Sequence, residues 1–279
     1  MTIDPEQLSE SGLELAAMLK EERKRAGLTG DRLARRMNVS QSTVSRIENG
    51  KVRPTLVDVE RYLRGIDSSP DTTARVMELA RVANTEWQGI RSLRQKGLEK
   101  KQLELSALES SCTEFRYFLL SMITSLISTP EYIRASLAHS PVNTEQVIAK
   151  KLERQRVLYE TSKSFTFILT EQAVTWPLVS PPAMGVQIDH LAALTRLPNV
   201  RLGVIPRAGV KPMAPMDTFT VYDDTLATVE TTAGIVVLRD PRDIETHTEL
   251  FSIMESYALF GEAARSKLRE WSAMARDDL

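Results

Sequence analysis

Cysteine is nearly absent: the chain of 279 residues has one, Cys112. A single thiol closes no internal disulfide, and a reducing cytoplasm suits such a chain. Long apolar runs are missing as well. None reaches the ~18 residues that suggest a membrane span. The first residues, MTIDPEQLSESG, are acidic and polar, unlike a signal peptide. Histidine is scarce, and His139, His190 and His247 stand far apart with no metal-ligand spacing. There is no glycine-rich phosphate loop, no GxSxG and no HExxH. These absences remove every recognisable catalytic or metal centre, so the expectation is a protein without enzymatic activity or cofactor. Cys112 falls in a stretch with helical pattern and reads as a buried structural thiol rather than a nucleophile.

What is present is ordinary for a globular chain, 42% apolar and 26% charged, and long enough for two cores. The net charge of −1 hides an asymmetry. Residues 12–65 hold 12 Lys and Arg against 7 Asp and Glu, a net of +5, and the remainder holds 24 against 30, a net of −6. A basic module on an acidic body suits a phosphate-binding head joined to a differently employed tail.

Residues 12–65 read as four short helices. Ser11 and Glu14 have capping-box spacing, Leu15, Met18 and Leu19 form the first apolar stripe, and Gly27 ends it. Thr29 caps a second helix with Leu33, Ala34 and Met37 inward. Ser40 caps a third with Val44 and Ile47 inward, and Asn49-Gly50 stops it. Leu56, Val59 and Leu63 mark a fourth after Pro54-Thr55. GIDSSPD (65–71) is a break, after which Asp71 opens a helix through Val76, Leu79 and Ala83. Helical pattern continues from Trp87 to Ile127, where FRYFLLSMITSLI (115–127) reads as a buried core helix. Thr129-Pro130 opens another helix, and a further one runs from Asn143 to Tyr159. Segments 165–170, 200–206, 218–224, 227–232 and 235–240 are rich in β-branched and aromatic residues and read as strands. A helix near 183–197 separates the first two, and helices near 242–258 and 262–275 close the chain. The expected architecture is an all-α head at 11–66, a helical connecting region at 71–127, and an α+β domain at 128–276 with about five strands clustered late.

The stretch NVSQSTVSRIENG (38–50) carries the chemistry. Val44 and Ile47 pack, leaving short polar side chains outward that let a helix backbone approach base edges closely. Gln41 matches adenine, Arg46 matches guanine, and Thr43 can touch a thymine methyl; with Ser42 these are the candidate base contacts. Thr29, Ser40, Ser45, Asn49, Lys51 and Arg53 are the candidate phosphate contacts, which position rather than specify; Ser40 and Thr43 fit either role. On any other helix Gln41 and Ser42 would be unremarkable, and Lys51 and Arg53 ordinary loop charges.

The segment KEERKRAGLTGDRLARRMNVSQSTVSRIENGKVRP (20–54) resembles the helix-turn-helix of the Cro/cI-type repressors, the XRE family, without a gap across 15–65. The resemblance implies sequence-specific binding of double-stranded DNA, a structural ion pair between Arg23 and Glu48, and a homodimer on a palindromic operator with half-sites ~34 Å apart. One departure stands out: relatives commonly place Gln where this chain has Gly30. The helix N-terminus still offers a backbone N–H to a phosphate, but the Gln-mediated clamp is missing.

Further on, LSALESSCTEFRYFLLSMITSLISTPEYIRASL, KKLERQRVLYE, LTRLPNVRLGVIP and TVETTAGIVVLRDP resemble the uncharacterised C-terminal domain of actinobacterial, antitoxin-like regulators. That resemblance implies transcription regulation and a small companion protein as a partner. Thr124-Ser125 replaces the usual Pro-Gly, and loop 207–216 keeps only Gly209. Met213 and Met216 in that loop read either as adaptable contacts or as residues packed on the sheet, and Glu230 as part of a solvated strand face. Two further inputs to the tail remain open beside DNA control by a dimer: the companion protein as main partner, with DNA binding for autoregulation, and a small-molecule effector.

Overall fold

The computed structural model describes residues 10–84, 86–89, 110–138, 144–231 and 234–277. They divide into two compact units, Met1–Trp87 with Val236–Asp240, and Gln88–Ile235 with Pro241–Leu279.

The first unit is helical: α1 (Glu10–Arg25), α2 (Gly30–Met37), α3 (Gln41–Glu48), α4 (Leu56–Gly65) and α5 (Pro70–Asn84). Leu15 and Leu19 of α1, Leu33 and Met37 of α2, Val44 and Ile47 of α3, Val59 and Leu63 of α4 and Val76 and Ala80 of α5 share one core. The helix ends follow local chemistry. Thr29 and Ser40 accept backbone N–H bonds from Arg32 and Thr43, and Thr55 and Asp58 form a reciprocal capping box. Gly27 adopts φ 66°, the left-handed turn that stops α1. Two expected starts differ. Glu10 is already helical, so Ser11 lies inside α1 rather than capping it. The Ser69 hydroxyl, not Asp71, receives the Thr72 N–H, with Pro70 at the first helical position where its missing donor costs nothing.

The second unit is α+β. Its sheet runs β6-β5-β2-β3-β4, with β2 Glu114–Leu119, β3 Ser164–Thr170, β4 Val200–Ile205, β5 Thr218–Tyr222 and β6 Leu226–Thr231. The pairs β2·β3 and β3·β4 are parallel, and β2·β5 and β5·β6 antiparallel. Two more strands, β1 (Glu86–Gly89) and β7 (Gly234–Leu238), fall across the division between the units. The helices are α6 (Pro130–Ser136), α7 (Thr144–Arg154), α8 (Glu171–Thr175), α9 (Pro181–Leu194), α10 (Pro241–Ser256) and α11 (Gly261–Asp277), with 3₁₀ turns at 125–127 and 155–159.

The expected core helix at 115–127 is overturned. Residues 114–119 form β2, the middle strand of those five, and only 125–127 is helical. A strand buried on both faces is a continuous apolar run, which periodicity cannot separate from a buried helix. The aromatics were the better signal: Phe115 stacks on Phe165, Tyr117 on Phe167 and Phe118 on Phe219, with centroids 4.7, 4.8 and 5.3 Å apart. Cys112 is buried, but in the short loop between the helical residues 110–111 and β2 rather than in a helix, and burial raises its thiol pKa. The helical reading of 87–127 fails also at 86–89, while 90–109 lies outside the described residues. The short helix α8 was not anticipated.

Candidate nucleic-acid interface

Between α2 and α3 the chain turns in three residues. Asn38 takes the left-handed conformation, φ 55°, which Asn tolerates better than most side chains. Its N–H and that of Val39 close on the carbonyls of Arg35 and Ala34. Ser40 then opens α3, its hydroxyl lying 2.8 Å from both the Ser42 and the Thr43 hydroxyls. The end of α3 is wound tightly. Gly50, φ 67°, donates to Ile47 O, and the Lys51 N–H reaches back to Arg46 O at 2.8 Å, an arrangement that carries Lys51 and Arg53 away from the helix axis.

On α3, Val44, Ile47 and Glu48 face inward. Gln41, Ser42 and Arg46 are exposed, and Thr43 and Ser45 half-buried. Lys51 is exposed and Arg53 half-buried. Thr29 and Ser40 are exposed, although each hydroxyl also holds its own helix start. Asn49 is tied down: Nδ2 donates to Ser45 O at 2.8 Å, and Oδ1 accepts from Lys20 Nζ at 3.2 Å. A Cβ at Gly30 would lie 3.7 Å from Gln41 Nε2, so α3 begins against the N-terminus of α2.

Behind this surface sits a polar lock. Arg23 grips Glu48 with two bonds, Nε to Oε1 at 2.6 Å and Nη2 to Oε2 at 2.7 Å, and its Nη1 reaches Leu28 O at 2.7 Å. Both side chains are largely buried, 12% and 5% exposed, so this is no surface pair screened by water. The Tyr62 hydroxyl lies within hydrogen-bond reach of Glu48 Oε1 and Leu19 O, at 2.7 and 2.9 Å. Burial alone would raise the Glu48 carboxyl, but the bonds from Arg23 and Tyr62 outweigh it and hold its pKa below the ordinary value. Burial and Glu48 together push Tyr62 upward. Sequence reasoning passed over Tyr62. Its signal was a Tyr inside the stripe Val59-Leu63, where a buried phenol needs a partner.

The remaining candidates scatter. His190 is half-buried and shifted downward by desolvation, and His247 packs edge-on against Phe219 with Nδ1 at Asp243 O; His139 lies outside the described residues. Among the described residues no three His, Cys, Asp or Glu side chains are grouped to hold a metal. No helix there is long and apolar enough to cross a membrane. Met213 and Met216 are 41% and 87% exposed, and Val210 in the same loop 98%. Glu230 is exposed.

A short-turned helix pair with its second helix turned outward defines a helix-turn-helix protein, a DNA-binding class. A helix-turn-helix domain model matches residues 14–76. A second model, a domain of unknown function (DUF5753), matches residues 102–270, and the chain belongs to that family. No curated protein matches the chain. Among solved structures it is similar to Nuc from Salmonella typhimurium, a phospholipase D family member, at 13% identity over 58% of this chain and 90% of that one, TM-score 0.34. NucT from Helicobacter pylori aligns at 10% identity over 63% and 98%, TM-score 0.36. TrmBL2, an archaeal chromatin protein, aligns at 12% over 72% and 66%, TM-score 0.32.

Proposed function

We propose that this protein is a sequence-specific transcription regulator of the Cro/cI type that acts without catalysis, reads DNA through α3, and binds a roughly palindromic operator as a homodimer. The observation that supports it most is the division of α3: Val44 and Ile47 held in the core, Gln41, Ser42 and Arg46 left exposed. Those three with Thr43 read bases, and Lys51 and Arg53 with the α3 N-terminus hold phosphates. The second unit supplies pairing and a regulatory input, either a small effector or a companion protein. Exposed Val210 and Met216 favour a protein contact as one such input.

The test is selection of bound DNA from a random pool. The wild-type chain should enrich a two-half-site sequence, and Gln41→Ala should relax one position of it. Arg46→Ala should cost ~1–3 kcal/mol and loosen preference at another position. A protein that binds its own promoter region no better than scrambled DNA would overturn the reading. Co-purification of a small protein from the native host would favour the companion input.

A further inference from the structure

An open cleft of about 600 Å³ lies on the head where α2 and α4 both end. Close packing of the two helix ends makes it. A Cβ at Gly65 would stand 2.7 Å from Leu33 Cδ1, so glycine lets the last turn of α4 lie against α2. Three arginines line the cleft, Arg36 from α2 and Arg61 and Arg64 from α4, with Asp67 as the one carboxylate among them.

These charges do not balance. Arg36 Nη1 donates to Gly65 O and to Asp67 Oδ2, both at 2.8 Å. It thereby covers a carbonyl at the end of α4 and offsets the acid in the cleft. Arg61 and Arg64 are exposed, and among the described residues neither guanidinium has a hydrogen bond or an ion pair. Glu60 stands four residues before Arg64, the spacing of a helical ion pair, yet forms none with it. Arg61 and Arg64 are three apart and share one face of α4, with ~5–6 Å expected between their Cβ atoms. The cleft keeps two uncompensated positive charges, set as a pair on one helix.

Its place separates it from the DNA surface. The first turn of α2 starts at Gly30, against Gln41, and α4 starts after the loop that carries Lys51 and Arg53. Arg36 is six residues beyond Gly30 and Arg64 eight beyond Leu56, ~9 and ~12 Å along the helix axes. Both helices bring their first turns to the α3 side and their last turns to the cleft.

We infer that this cleft docks an acidic segment of a partner protein, with two carboxylates spaced to meet Arg61 and Arg64. Each guanidinium presents paired N–H donors that match the two oxygens of a carboxylate, and two such pairs in register specify more than a lone surface charge. A helix with acidic residues three or four apart has that spacing. The contact goes beyond the regulator reading: it puts a protein on the head itself, at a place that leaves α3 open to DNA.

Fluorescence anisotropy of the full chain with a labelled octaglutamate peptide tests it, at low salt and without DNA. Exposed ion pairs are individually weak, so a Kd of about 10 μM to 1 mM is expected, rising as salt screens the charges. Arg61→Gln combined with Arg64→Gln should weaken the peptide about tenfold; Gln keeps the helix propensity at both positions, so the head should fold, which circular dichroism checks. Arg46→Gln combined with Lys51→Gln, on the DNA side, should change peptide affinity by about twofold or less, and the α4 double variant should hold the selected operator within about twofold of wild type. No binding below about 10 mM would overturn the inference, as would equal loss in both double variants, the mark of diffuse attraction to a basic head. Displacement of the peptide by inorganic phosphate at matched ionic strength would make the cleft a free-anion site. An about tenfold loss of operator affinity in the α4 variant would assign its arginines to DNA phosphates. Either result overturns the docking assignment. Failure of the wild-type chain to select any operator would count against the regulator reading alone.

Discussion

In the head, α1 to α5 follow one another without interruption between Glu10 and Asn84 and share one core. In the second unit, β2 draws its partners from residues 164–170 and 218–222, about 50 and 100 positions downstream. The polar groups differ in the same way. The head gathers its buried charge into one lock, Arg23, Glu48 and Tyr62, at the inner side of α3. The second unit spreads its polar ties along the sheet's ends: Asp223 Oδ1 accepts from the Thr113 and Glu114 backbone at 3.0 and 2.7 Å, and the Thr170 hydroxyl donates to Leu120 O. One lock ties α3 to α1 and α4 at a single point, whereas the sheet is tied at several strand ends.

The largest expected break in this comparison lies in the sheet. Phe118 is fully buried at the centre of β2 and stacks on Phe219. Phe118→Ala should cost about 3–5 kcal/mol through lost burial and the cavity left behind. Hydrogen exchange resolved along the chain is the measurement. Protection should fall across 114–119, 164–170 and 218–222 and persist at 30–48. Equal loss in the head would mean that the two units unfold as one.

The matching break in the head is Arg23→Ala, expected to cost about 3 kcal/mol because it strands Glu48 as a buried, half-partnered charge. Exchange should quicken through α1, α3 and α4 and leave the sheet protected. Arg23→Met combined with Glu48→Leu should recover much of the loss, since well-packed apolar residues replace a buried pair at little cost. If the single variant moved stability by only a few tenths of a kcal/mol, the pair would be behaving as an exposed one.

The same contrast sets what the residues reveal unaided. Helix ends in the head are written in adjacent residues, Thr29, Ser40, Asn49-Gly50 and Thr55, so they can be read from a window of a few positions. Strands 164–170, 200–205, 218–222, 226–231 and 234–238 show through their β-branched content. The strand at 114–119 does not, because its identity is settled by Phe165, Phe167 and Phe219 stacking on it from far along the chain. Tyr62 escapes for a related reason: its role depends on Glu48 and Leu19, neither of them local to α4.

The smallest effect separates the lock from the sheet by pH. Glu48 has a folded pKa below its ordinary value, despite the opposing pull of burial. Such a group contributes stability that is complete above the unfolded value, about 4.3, and lost as pH falls through the folded one. Tyr62→Phe removes one of the three hydrogen bonds that hold Glu48 down, the other two coming from Arg23, at an expected cost of about 1.5 kcal/mol at pH 7. In the variant the folded value moves towards the unfolded one, so less stability remains to be lost in acid. The gap between wild type and variant in the head should therefore narrow between pH 7 and pH 3, read by exchange at 41–48 and 56–65. Asp223 supplies the internal control. Burial pulls it up, but the Glu114 and Thr113 amides hold it below its usual value, so the sheet has an acid-labile contribution of the same sign. That contribution does not involve Tyr62, and protection at 114–119 should fall in acid by the same amount in both proteins. A gap in the head that stayed constant with pH would show that Tyr62 acts through packing and through Leu19 rather than through the Glu48 charge.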